Sequence, residues 1–405
     1  MNEVKLDGPL DGVRVLDLSA LAPGPYCSML LADMGAEVIL IEQAGRPRGR
    51  RDLGGKPDPN EERRRYSSYA LGRGKRSIGL NLKSDEAREM FYRLAEDADV
   101  ILEGFRPGVV KRLGVDWETL STRNSRLIYC SLSGFGQTGP YAAHVGHDIN
   151  YIATAGALGM IGDHSADGRP AIPVNIIADF AGGGLMAAFA IVCALQARER
   201  TGEGQHIDLG MSDGAMSLIT SALAGHDGAG ADMRPARHVL NGGEPHYQVY
   251  ETADGRWFSV GSMEPYFYAN LCQALGLEQF SEDQGTDDPQ RREQMRAAFA
   301  AAFRTRTADE WHELLNRVDV CAKPVLSLEE ALTDEHNIAR EMVIEVPTPD
   351  GRRMRQAGVA AKLSATPGRV RGGAPQRGQD TEALLSELGF DAEAIASLRE
   401  REIVA

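Results

Sequence analysis

A histidine and two carboxylates stand where the chain passes from loop into helix: His147 in GHDINY, Asp179 in ADFAGGG and Glu264 in GSMEPYFY. Imidazole and carboxyl groups are the side chains that most often move protons, so a general acid–base centre is one reading of them. Each also has a plain structural reading. Asp is a preferred N-cap, and Asp179 could simply cap the apolar helix that follows it. Glu264, before Pro265, could be a helix-start carboxylate held by the dipole. His147 could be a polar residue at a helix start and nothing more. Gly182, Gly183 and Gly184 open the same helix as Asp179 at a cost of roughly 1 kcal/mol each against alanine, so close approach of a ligand or of other backbone is the expected cause.

The elements that must position these residues follow a strand–helix–strand rhythm. GVRVLDLS (12–19) is a β-rich run, APGPYCSMLLADMG (22–35) reads as a helix with Pro25 in its first turn, and AEVILIEQ (36–43) is a second strand. Such a βαβ unit implies a parallel sheet. Further strands are predicted at RSIGLNL, DVILEGF, RLIYCSLSG and QHIDLGM. Helices are predicted at SDEAREMFYRLAEDA, with Ser84 as N-cap, over 147–160, over 180–197 and over 212–224. The first half is therefore a doubly wound α/β domain. A stretch rich in glycine and charge then reads as a linker, and YQVYETADGRWFSVGS alternates around Asp254-Gly255 as a hairpin. Three helical patterns follow it in a smaller α+β unit, and a final amphipathic helix is predicted near DTEALLSELG.

Composition removes several function classes. With 42% hydrophobic and 25% charged residues the chain reads as a soluble, cytoplasmic protein. Its start has no basic segment followed by an apolar one, and the most apolar stretch, Phe180 to Ala197, is short for a membrane span and reads as a buried helix. The net charge of −14 argues against a nucleic-acid partner. Five scattered cysteines read as buried thiols, and nine histidines without HExxH or CxxC spacing indicate no metal site. No GxGxxG follows the first strand and no GxxxxGK[ST] occurs, which weakens the NAD and NTP readings. From Arg46 to Arg76, however, eleven Arg or Lys face four Asp or Glu. Such a run is either a solvated loop or a local site for a polyanionic small ligand.

Longer matches add a specific resemblance. PLDGVRVLDLS, APGPYCSMLLADMGAEVILIE, KRSIGLNLKS, EGFRPGVVKRLGVD, SGFGQTGPY, GHDINYIATAGAL, ADFAGGG and YETADGRWFSVGSMEPYFY occur in order over nearly the whole chain. In these the chain is similar to the family III CoA transferases, and most closely to their α-methylacyl-CoA racemase branch.

The resemblance implies a Rossmann-like large domain (1–225 and 336–405), a linker (226–245), a small α+β domain (246–335), and two chains interlocked as a homodimer. It implies an acyl-CoA substrate whose CoA is part of the substrate, with no separate cofactor, and a place in lipid and fatty-acid metabolism. His147 and Asp179 would flank C2 of the thioester, with Glu264 sharing a hydrogen bond with Asp179 so that the pair can hold a proton. The reaction would interconvert (2R)- and (2S)-2-methylacyl-CoA through an enolate, its oxygen met by amides at a helix start. A helix N-terminus disfavours imidazolium, which suits a proton-accepting histidine.

CoA contacts carried over by the same resemblance fall on Leu80, Asn81, Leu82 and Lys83, then on Gly104, Phe105, Arg106 and Arg112. A last group is Gly146, His147, Asp148, Ile149, Asn150 and Tyr151. Arg73, Lys75 and Arg76 lie just upstream and would add to the phosphate field. Three positions depart from the family pattern: Gln43 stands where an arginine often faces the adenine, and Glu244 and His246 stand near the expected acyl pocket. The alternative within the family is a CoA transferase in which Asp179 attacks the thioester as nucleophile. Transferases of the family generally lack a histidine at the GHD position.

Overall fold

A computed structural model describes residues 8–44, 69–162, 169–348 and 351–405. They fall into two units: a large one holding residues up to 155, 174–218 and 334–405, and a small one holding 156–173 and 219–333.

The large unit is built on six parallel strands: β1 (Arg14–Asp17), β2 (Glu37–Glu42), β3 (Arg76–Gly79), β4 (Val100–Glu103), β5 (Ile128–Ser133) and β6 (Gln205–Gly210). Their order across the sheet is 3-2-1-4-5-6, so the winding direction reverses between β1 and β4. In open α/β sheets a ligand crevice forms outside the carboxyl ends of the strands at such a reversal.

β2, β4 and β5 are buried along nearly their whole length, as expected where both faces of the sheet are covered. On one face Leu16, Ile39, Ile78, Ile101 and Tyr129 pack with Met90, Phe91 and Leu94 of helix α2 (Asp85–Glu96) and with Leu384, Leu385, Ile395 and Leu398 from the chain's last two helices. Helix α1 (Pro23–Asp33) lies against β1 and β2. Ser84 stands at the N-cap of α2 in extended conformation, although its side chain makes no capping bond.

Helix α3 (Asp148–Thr154) follows β5, and helix α4 runs 26 residues from Ile176 to Thr201, ending at Gly202 with φ +77°. The apolar helix thus begins four residues earlier than expected, because IleIle before Ala178 extends the pattern. Contrary to the expectation of a short, buried helix, it is long and apolar enough to cross a membrane by length and composition, and only 39% of its most apolar window is buried. Phe189 is 64% exposed there. The helix expected over 212–224 is two helices, α5 (Met211–Leu218) and a second over Thr220–Ala229 in the small unit.

The small unit carries the expected hairpin, β7 (Tyr247–Glu251) and β8 (Trp257–Gly261), with Gly255 at φ +74° in its turn. A third strand, β9 (Ala322–Pro324), pairs antiparallel with β8. Tyr250, Phe258, Phe299, Phe303 and Trp311 form the core under this sheet. The stretch expected as a linker, 226–245, is not featureless: the helix Thr220–Ala229 runs into it and a 3-10 turn follows at Val239–Asn241.

Candidate active site

The site begins with a tyrosine. β5 ends at Ser133, and the following loop folds over Tyr151 of α3: a Cβ on Gly134 would lie 2.5 Å from the Tyr151 ring and one on Gly146 2.8 Å from it. Only glycine admits that contact. The Tyr151 hydroxyl donates to the Gly146 carbonyl at 2.6 Å, and Phe135 meets the ring edge-on at 5.1 Å. The loop is thereby fixed up to the residue after Gly146, which is His147. His147 sits at the N-cap of α3 in extended conformation, its N–H donating to Asn150 Oδ1 at 3.1 Å, and it is exposed.

Asp179 lies in the first turn of α4 and is half-buried. The N-cap reading therefore fails: the helix is already wound at Ile176, and the cap position belongs to Asn175. Asn175 instead donates its amide to Asp179 Oδ2 at 2.8 Å, an i, i+4 pair that the NIIAD spacing contains and the sequence reading passed over. This first stretch, Ile176–Leu185, is wound wide, with the Met186 N–H reaching the Ala181 carbonyl five residues back. Wide turns of this kind recur at functional sites.

Asp148 joins the two helices. It is buried, and its Oδ2 accepts the N–H of Ala178 at 2.7 Å and of Asp179 at 2.9 Å. Burial pushes the Asp179 carboxyl above its ordinary range; the Asn175 bond opposes this, the Asp148 charge adds to it, and a positive His147 opposes it. The structure thus brings His147, Asp148, Tyr151 and Asp179 into one field. Arg106 shares it, because burial and the Asp179 charge raise the Tyr151 phenol while Arg106 lowers it.

The three glycines answer to backbone. A Cβ on Gly182 would meet the Ala215 nitrogen at 2.7 Å, and one on Gly184 the Pro23 carbonyl oxygen at 2.5 Å, so α5 and α1 press against α4 there.

The remaining expected contacts divide. Gly104, Phe105 and Arg106 follow β4 at the reversal of the sheet, and a Cβ on Gly104 would lie 3.4 Å from Ser19 Cβ beyond β1. The Phe105 N–H is held by buried Glu103 at 2.8 Å, and Arg106 is exposed. Lys83 is exposed beyond β3 and Arg112 is exposed on its own short helix, its Nη1 reaching the Gly108 carbonyl at 3.2 Å. Asn81 accepts the Lys83 N–H at 3.3 Å, and Leu82 packs on the core. Exposed Ile149 and Asn150 line the first turn of α3.

Leu80 is employed by the fold: its side chain is 1% exposed and its N–H donates to the Glu42 carbonyl at 2.7 Å. The basic run also needs correction. Arg73 is buried in an ion pair with Asp33 at 2.6 Å, and Lys75 donates to Ser28 Oγ at 2.6 Å and the Pro25 carbonyl at 2.9 Å, 3.7 Å from Asp17. Arg76 bonds Glu37 and Glu387. These three serve packing and not a phosphate field. Residues 46–68 of that run lie outside the described residues.

Glu264 stands in the small unit at the N-cap of the helix Pro265–Leu275, exposed, without a side-chain capping bond. Glu244 pairs with Arg292 at 3.2 Å and His246 is buried edge-on against Tyr268 at 5.4 Å, so both departures from the family pattern have structural uses inside this unit. Cys193 and Cys321 are exposed, contrary to the buried thiols expected, while Cys27, Cys130 and Cys272 are buried. Among the described residues no cluster of metal-ligating side chains occurs.

The α/β sheet reverses between β1 and β4, and the helices after β5 carry His147, Asp148, Tyr151 and Asp179; comparison gives the family. The chain belongs to CoA-transferase family III, whose model matches residues 10–381. It is 39% identical over 403 residues to the alpha-methylacyl-CoA racemase of Mus musculus, covering 98% of this chain and 97% of that one. It is 34% identical over 413 residues to the succinyl-CoA--D-citramalate CoA-transferase of Chloroflexus aurantiacus, covering 98% of each. Its structure resembles the crystal structure of a CAIB/BAIF family protein from Brucella suis, with TM-score 0.77, 30% identity, and coverage of 94% of this chain and 99% of that one.

Proposed function

We propose that this enzyme is an α-methylacyl-CoA racemase, interconverting the two C2 epimers of a 2-methylacyl-CoA by proton transfer on opposite faces. The observation that carries the reading is an exposed imidazole, His147, held beside a half-buried Asp179 whose carboxyl is raised. From one epimer His147 takes the C2 proton, the C–H electron pair moves onto the thioester oxygen as an enolate, and the Asp179 carboxyl delivers a proton to the other face. From the other epimer the Asp179 carboxylate takes the proton and the imidazolium returns one. A carboxyl raised above its ordinary range by burial suits this alternation.

The CoA moiety is read as substrate, met by Lys83, Gly104 to Arg106, Arg112 and the start of α3, with no further cofactor. The active form is read as a homodimer of interlocked chains. Support comes from the apolar side that α4 and its approach leave uncovered in one chain, where Val174 is 72%, Ile176 56% and Leu185 51% exposed. Apolar surface gathered in this way marks an interaction site.

The transferase reading rests on relatives such as the Chloroflexus enzyme and uses the same aspartate as nucleophile. One experiment separates the two. A single epimer of a 2-methylacyl-CoA is incubated with the protein in D₂O without an acyl acceptor. The racemase gives deuterium at C2 and the second epimer; absence of exchange sinks it. A transferase gives instead an acyl group on Asp179 that hydroxylamine traps.

A further inference from the structure

We infer that Asp148 is a positioning residue, a buried carboxylate that ties the start of α3 to the first turn of α4 and so sets His147 and Asp179 relative to each other. The inference rests on the racemase reading and deepens it.

The first amides of a helix have no partner inside it, and a wide first turn leaves them further from any carbonyl. In α4 the amides of Ala178 and Asp179 are taken by one oxygen, Asp148 Oδ2, at 2.7 and 2.9 Å. Two donors on one acceptor fix that oxygen both along and across the axis of α4. Asp148 is also the residue after His147, so a shift of its carboxylate moves the backbone that carries the imidazole. An Asp at this place with 5% exposure has little surface left for a ligand on its side chain. What it offers the site is the separation between two proton carriers.

The same carboxylate acts through space. Burial and the Asp148 charge raise the Asp179 carboxyl, while Asn175 and His147 lower it. The other groups around this turn are Tyr151 of α3, with Arg106 beyond it, and on α1 Tyr26, whose ring meets Phe180 at 4.8 Å. Also on α1, Cys27 lies toward Asp17 and Cys130, and Asp33 is paired with Arg73. On α5, Asp213 is bonded by Ser212 and turned toward Gly136 and Gly210.

Geometry and charge separate by substitution. Asp148→Asn keeps an oxygen that can accept the two amides and removes the charge; Asp148→Ala removes both. Exchange at C2 is followed for each epimer against pH in the full-length protein, with CoA affinity measured alongside. The epimer that needs Asp179 as base is the one whose exchange survives His147→Ala. For it, the rise of the rate with pH moves to lower pH in Asp148→Asn, because the carboxyl now releases its proton more easily. In Asp148→Ala the rate falls about 100-fold in both directions, as expected for misplaced reacting groups.

An Asp148→Ala protein that folds and exchanges at the wild-type rate overturns the inference, and so does an Asp148→Asn pH profile that coincides with the wild type. If Asp148→Ala does not fold by circular dichroism, the Asp148→Asn profile alone decides. A wild-type protein that exchanges nothing at C2 overturns the racemase reading instead, and this is seen before any variant is made.

Discussion

Lys75 and Asp179 are charged residues inside the same unit, and the fold treats them differently. Lys75 is enclosed with Asp17, Ser28 and the Pro25 carbonyl beneath the first turns of α1, its side chain wholly shielded from solvent. Asp179 is left half-open, with Asn175 on one oxygen, next to an exposed imidazole. Charges closed in by partners hold elements together, since their protonation has nowhere to go without breaking the packing. A carboxyl that is partly desolvated yet reachable has a movable proton, and that is the property a proton-transfer site needs. From the sequence both regions were functional candidates, one for phosphate and one for acid–base work.

Substitutions can break or sharpen that contrast. Asp179→Asn should lower C2 exchange by about 10³-fold, roughly 4 kcal/mol of barrier, with an unchanged urea midpoint. A large drop in stability with it would place Asp179 among the packing charges. Lys75→Met should do the reverse, leaving Asp17 buried without its cation and costing about 3–5 kcal/mol of stability in urea denaturation. If that variant is stable but binds CoA poorly, Lys75 belongs to the ligand site after all.

Gly134→Ala forces a methyl toward the Tyr151 ring and should cost about 1–3 kcal/mol of stability, with a loss of exchange that tracks the displaced loop. The smallest effect is expected at Glu37, partly exposed between Arg14 and Arg76. Although burial works against ionisation, the two arginines hold its carboxyl below the ordinary value. Its stabilisation is therefore full above the unfolded glutamate pKa and fades as pH falls through the lowered folded one. Glu37→Gln should cost at most about 1 kcal/mol at neutral pH, a difference that disappears in acid.

Much of the large unit was legible because apolar runs of strand length alternate with one helical stretch after another. β1, α1 and β2 fall where GVRVLDLS, APGPYCSMLLADMG and AEVILIEQ put them. β9 was missed, since AKP is too short to show a period and pairs with β8 more than sixty residues earlier. The GHD and ADF stretches were marked by residue type, and their roles came from the resemblance alone. The Asp148 bond to the amides of Ala178 and Asp179 left no trace, because a side chain meeting backbone thirty residues away has no local spacing to betray it. The basic run misled for a related reason: a count of charges says nothing of which ones have partners. Asn175 could have been found, as an amide four residues before a carboxylate at a helix start is a recognisable pair.

The divided course of the large unit has a consequence for its birth on the ribosome. β3 pairs with β2 on one side but receives partners on the other late: the Ser77 N–H bonds Asp380 and the Gly79 N–H bonds Thr381, each about three hundred residues further on. At about 5–20 residues per second, that edge of the sheet waits tens of seconds for its cover. During the wait an unpaired parallel edge and a half-covered apolar face are open to other nascent chains. The small unit, whose residues emerge in that interval, can complete its own aromatic core first. A slower or interrupted supply of residues beyond 334 should therefore show up as aggregation of the large unit and not as misfolding of the small one.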